Sequence, residues 1–340
     1  MLEYGDANGA AAALRSLERT AEPLSSDANL AKANIEMSQG DVAKAQDMLS
    51  DIVTSNDEQS AEALIQFVDS HLEADEQIDE EVATLVESYA MEMRDDPIGV
   101  ELRRAHVLAL GKSGQFAEAF EALSRVRHRD LGIAQDSLRS LVLDLLARNA
   151  DDVDFLTHAF AHMSVNLETI ETKTRLRIAQ RLLDLGFAGQ AETVLAASPE
   201  PQRNSAARLL HARIALALSR PREVSAHLYG LKSHEAERLR ALAQSQTGEF
   251  DAAHAIFETL EDEQNSARTA WLSNDWSNLV ANAPTVFGSV AQIAQNPMDD
   301  DPVVDGMLSR ATAAISESRS ARRAIEDLLR SDTLGSTPAE

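Results

Sequence analysis

Three side chains able to bind a metal stand at intervals of four: Asp154, His158 and His162. On a helix that spacing gathers them on one face, and two histidines at i and i+4 can share one zinc ion. A metal-dependent hydrolase built on them would also need a fourth ligand and a general base. Ala159 follows His158 where metalloproteases carry glutamate, and Phe155, Leu156 and Phe160 mark the same helix as a packing element. The alternative is a polar stripe on a packed helix, and no resident metal or cofactor is expected. With no cysteine in the chain, disulfides, thiolate catalysis and Cys-ligated zinc are excluded.

Other candidates have similarly plain alternatives. Gly111-Lys112-Ser113-Gly114 ends like a phosphate-binding loop, but it lacks the upstream glycine and continues a helical pattern. It therefore reads as a turn between helices. The carboxylates of residues 73–81 (Glu73, Asp75, Glu76, Asp79, Glu80 and Glu81) lack the central glycine of a calcium-binding EF-hand loop. They read as an acidic turn whose charge suits the next helix N-terminus, or as an acidic docking surface. Trp271 and Trp276 offer either a partner hot spot or a bridge across the core of a small hairpin.

The strongest local charge feature is basic. Arg203, Arg208, Arg213, Arg220, Arg222, Lys232, Arg238 and Arg240 crowd one segment, with His211, His227 and His234 among them. Guanidinium forks suit carboxylates, so Arg208, His211, Arg213, Arg222, Arg238 and Arg240 are candidate contacts for an acidic peptide or protein. Pairing with the chain's own acids is the alternative. The surroundings make the segment stand out: 31 Lys+Arg face 56 Asp+Glu, a net charge of −25. Residues 1–100 alone carry 5 basic and 23 acidic side chains. Such a balance opposes nucleic acid and anionic membranes. No apolar run approaches the length of a membrane span.

The elements that would position these groups are helices. The 340 residues are 44% hydrophobic but only 4% aromatic, and 14 Gly and 9 Pro are too few for a chain of tight hairpins. One frame recurs: a turn glycine, Ala five residues on, and an apolar residue four beyond that. Gly40 with Ala45 and Leu49 sets it, and Gly114, Gly186 and Gly248 repeat it, as does Gly5 with Ala10 and Leu14. Weaker copies begin near Gln77, Asp151, Pro221 and Asn274, pairing Val82 with Val86, Leu156 with Phe160, Ala226 with Gly230, and Leu279 with Ala283. Repeat turns thus fall near 5, 40, 77, 114, 151, 186, 221, 248 and 274. The small residue lets two helices approach, and one helix pair cannot bury its own stripe, so copies must stack.

Gly114-Gln115-Phe116-Ala117-Glu118-Ala119 and Gly248-Glu249-Phe250-Asp251-Ala252-Ala253 resemble the turn and second helix of tetratricopeptide repeats. The family's large first-helix aromatic is replaced by Leu30, Ala33 and Met37 before Gly40, and by Ile178, Ala179 and Leu182 before Gly186. The family's peptide-gripping positions therefore do not carry over. The resemblance implies an all-α, right-handed α-solenoid of about eight helix-turn-helix repeats over 1–287. A linker over 288–302, a capping helix over 303–330 and a disordered tail over 331–340 would follow.

The expected function is a non-enzymatic scaffold or adaptor that holds a partner protein or acidic peptide, with no nucleic acid and no membrane insertion. Two alternatives are an enzyme, or an enzyme's arm, using Asp154, His158 and His162, and a self-assembling structural protein. The first copy begins at a second helix, which fits a piece of a longer chain or self-association through the uncovered half-repeat. Met1-Leu2-Glu3-Tyr4-Gly5 has neither the basic nor the apolar region of a signal peptide. Missing cysteines and an incomplete first repeat fit an extracytoplasmic segment of an anchored chain, with cytoplasm as the alternative.

Overall fold

Helix is the regular structure of this chain, and its turns explain where each helix stops. A computed structural model describes residues 25–126, 134–162, 167–196 and 204–282, with isolated positions at 9, 14, 288, 291–292 and between 315 and 330. Among the described residues there are sixteen α-helices, one 3-10 helix and no strand. The chain divides into two compact units, Met1–Pro199 and Glu200–Glu340.

The first unit holds α1 (Ser26–Gln39), α2 (Val42–Ser55), α3 (Ser60–Ala74), α4 (Glu80–Glu92), α5 (Ile98–Lys112), α6 (Phe116–Arg125), α7 (Ala134–Asn149), α8 (Asp152–His162), α9 (Thr172–Asp184) and α10 (Ala188–Ala196). The 3-10 turn Leu167–Thr169 precedes α9. The second unit holds α11 (Ser205–Ala217), α12 (Pro221–His227), α13 (His234–Thr247), α14 (Phe250–Thr259), α15 (Glu263–Leu272) and α16 (Trp276–Asn282). Within each unit most helices pack on their sequence neighbours, and alternate ones also pack: α3 on α5, α5 on α7, α7 on α9, and α11 on α13. This is a helical-repeat architecture. No described helix is long and apolar enough to cross a membrane.

One turn recurs. A residue with left-handed backbone ends the first helix of a pair, and the next N–H reaches back to a carbonyl five residues earlier. Gly40, Gly114, Gly186 and Gly248 take this role with φ of 85° to 89°. Asp41, Gln115, Phe187 and Glu249 then donate to Glu36, Leu110, Leu182 and Gln244. Where the pattern lacks a glycine, Asp75, Ser219 and Asn274 adopt positive φ instead.

Behind each glycine turn the small residue is fully buried: Ala45, Ala119, Ala191 and Ala253 are all 0% exposed, with Leu49, Leu123, Leu195 and Phe257 beneath them. Two weaker copies slip by a residue or two. Phe155 and Ala159 are buried in place of Leu156 and Phe160, and Val224 and Leu228 in place of Ala226 and Gly230. Without a glycine to set the turn, the buried face shifts register. The copy at Gly5, the linker, the capping helix and the tail lie wholly or mostly outside the described residues.

Polar ties join alternate helices of the first unit between residues 33 to 37 apart. Arg104 reaches Asp69 at 3.1 Å, Lys112 reaches Asp75 at 2.6 Å, and Arg177 reaches Asp144. Ser140 donates to Thr174 in the buried interior. Arg181 closes the end of α7, donating to the carbonyls of Leu146, Ala147 and Ala150 while its guanidinium lies 4.5 Å over the Phe155 ring.

Candidate functional site

The basic segment lies in the second unit, and much of its charge is directed inward. Arg208 donates to the backbone carbonyls of His227 and Tyr229. Arg240 donates to those of Leu228 and Leu231, each at 2.6 Å, and to Glu237. Both therefore close the C-terminal end of the short α12, where carbonyls lack helical partners. Arg238 pairs with Asp262 at 3.0 Å, and Asp262 in turn caps α15 through the Asn265 N–H. His211 stacks on His227 with ring centres 5.1 Å apart. Arg213 is half-buried, whereas Arg222 stands exposed on α12.

Asp154, His158 and His162 share one face of α8, but their rings stack instead of converging. His162 lies 3.9 Å from the Phe120 ring, and the two imidazoles are 6.2 Å apart and nearly parallel. Among the described residues, no group of three or more His, Cys, Asp and Glu is arranged to hold a metal ion. Burial pushes the His162 imidazole below its ordinary pKa, and the neighbouring His158 adds to the effect.

The remaining candidates make contacts within the chain. Lys112 is buried at the end of α5 and pairs with Asp75 in the acidic turn. Glu76 in the same turn accepts from Gln46. Trp271 and Trp276 meet edge to face at 4.8 Å and pack against Ala267, Ala270, Leu279 and Ala291.

A cleft in the first unit was not marked by any motif. Helices α4, α5 and α6 enclose about 380 Å³ lined by Glu87, Ala90, Met91, Arg94, Arg103, His106, Val107, Ala122, Arg125 and Val126. Three arginines on one cleft, within a region dominated by acids, are the sequence signal that could have found it. They lie nine and twenty-two residues apart, a spacing that only folding brings together. Burial lowers the His106 pKa, outweighing the attraction of Glu87. Its volume falls within the range of ligand clefts. No protein-family model, curated protein or solved structure matches the chain.

Proposed function

We propose that this chain is a non-enzymatic scaffold of tetratricopeptide type, whose hairpins stack as a right-handed α-solenoid within each unit and hold a partner protein. The observation that carries this reading is the run of ties one repeat apart: Asp69 to Arg104, Asp75 to Lys112 and Asp144 to Arg177. Each joins equivalent parts of successive hairpins, as stacking of like units requires. Such an array offers a large, pre-formed surface at little cost in ordering.

The test is affinity capture with the full chain as bait, followed by reconstitution of the captured protein from purified components. A complex of defined stoichiometry by light scattering supports the scaffold. Turnover of a captured molecule, or failure of every candidate to bind when purified, rejects it. The basic segment is probed best by Arg222→Glu, because Arg208 and Arg240 hold the fold together.

A further inference from the structure

The cleft between α4, α5 and α6 combines an apolar floor with a cationic rim. Ala90, Val107, Ala122 and Val126 form the floor, and Met91, 64% exposed, stands at its edge. Arg94, Arg103 and Arg125 come from the turn after α4, from α5 and from α6. We infer that this cleft docks a partner segment in which a bulky apolar side chain is flanked by carboxylates. The inference rests on the scaffold reading and adds the surface and the chemistry of the partner.

Three features argue for that occupant. The cleft's volume accommodates one or two large side chains, and the floor offers them a place away from water. Its lining sets three guanidiniums against the carboxylate of Glu87, while Asp95 and Glu121 pair with Arg94 and Arg125 just outside it. They are three of the five basic residues between 80 and 126; the other two, Arg104 and Lys112, are engaged in the inter-repeat ties.

The rim is also available for exchange. Arg94 pairs with Asp95 and Arg125 with Glu121, and all four side chains are well exposed. Arg103 donates to the Arg94 carbonyl at 3.3 Å. Exposed pairs of this kind hold little energy, so incoming carboxylates can replace them. His106, whose charged form burial disfavours, adds a hydrogen-bonding group to the cleft lining. The cations come from three separate segments, which suits carboxylates spread along a peptide better than one small anion.

The experiment measures fluorescence anisotropy of a labelled peptide, Glu-Asp-Leu-Phe-Glu-Asp, titrated with the full chain. Binding should weaken about tenfold in the Arg94→Glu/Arg125→Glu double variant and in Met91→Glu, and stay unchanged in Arg222→Glu. These side chains are exposed, and circular dichroism checks that the variants fold. Peptides with Lys replacing the acids, or Gly-Ser replacing Leu-Phe, should bind at least about tenfold more weakly. Absence of binding to the parent chain overturns the inference, as does equal affinity in the cleft variants or for the Gly-Ser peptide. A concentration-dependent dimer that these variants abolish would replace the partner segment with a second copy. The scaffold reading fails separately, when no captured protein reconstitutes a complex.

Discussion

Lys112 donates from its Nζ to Asp75 Oδ1 at 2.6 Å from a side chain that is 1% exposed, while Asp75 is 53% exposed. Arg148 reaches the same oxygen at 2.7 Å. Asp75 is the left-handed residue that ends α3, so one turn carboxylate ties together the ends of α3, α5 and α7. A buried ammonium without its partner is costly, which makes Asp75 more than a surface acid.

Asp75→Asn keeps a residue tolerant of positive φ and removes only the charge. It should cost about 3 kcal/mol, because the Lys112 ammonium is left buried with a weaker acceptor. Lys112→Met keeps the stem and removes the ammonium, and should cost about 1 kcal/mol or less. Urea unfolding of the two variants checks this order. A smaller loss in Asp75→Asn than in Lys112→Met would refute the account.

Stability should depend on pH in two windows. The hydrogen bond from Lys112 holds the Asp75 carboxyl below its ordinary 3.8, with Arg148 assisting against the effect of burial. Burial raises the Asp262 pKa, but hydrogen bonds from Asn265 and Arg238 outweigh it and leave that group low as well. A lowered carboxylate contributes stability above its unfolded pKa, and this is lost as pH falls from 3.8 through the folded value. His106 and His162, pushed below 6.5 by burial, resist protonation in the fold, so stability also declines as pH falls from 6.5 toward their folded values. Melting temperature against pH should show both declines. Asp75→Asn should flatten the acid one, and His162→Phe the milder one.

Two glycines should respond in opposite directions to alanine. A Cβ at Gly99 would meet the Met93 carbonyl oxygen at 2.1 Å, so Gly99→Ala should cost about 3 kcal/mol or displace the α4–α5 turn. At Gly189, in the first turn of α10, a Cβ meets nothing within 4 Å. Gly189→Ala should stabilise by about 0.5–1 kcal/mol through helix propensity. Thermal melts of the pair test both signs.

In the second unit, Arg240→Leu should destabilise by about 2 kcal/mol, since it removes the side-chain donor to the Leu228 and Leu231 carbonyls that follow α12. Arg222→Glu should change stability by less than about 0.5 kcal/mol. Denaturation midpoints decide which arginines belong to the fold.

Stacking of His162 on Phe120 makes a packing role testable against a metal role. His162→Ala should lower stability by about 1 kcal/mol whether or not zinc is present. Zinc that raises the melting temperature of the parent chain but not of the variant would reinstate the metal site.

Among the described residues, helix, turn and buried face were legible wherever glycine marked the turn. Gly40, Gly114, Gly186 and Gly248 supply left-handed backbone without a Cβ penalty, and Ala45, Ala119, Ala191 and Ala253 follow at the spacing that faces the core. Copies without a glycine carry no such mark, and in those beginning near Asp151 and Pro221 the register slipped to Phe155 and Val224.

The sequence by itself determined that this protein is built from helical repeats, because periodicity and turn chemistry are local properties of the chain. Only the tertiary structure decided what its charges do. It turned Arg208 and Arg240 onto carbonyls and buried Lys112 against Asp75. It also gathered Arg94, Arg103 and Arg125 around one apolar floor. The energy of a charge depends on its partners and its distance from water, and those are set by residues far away in the chain.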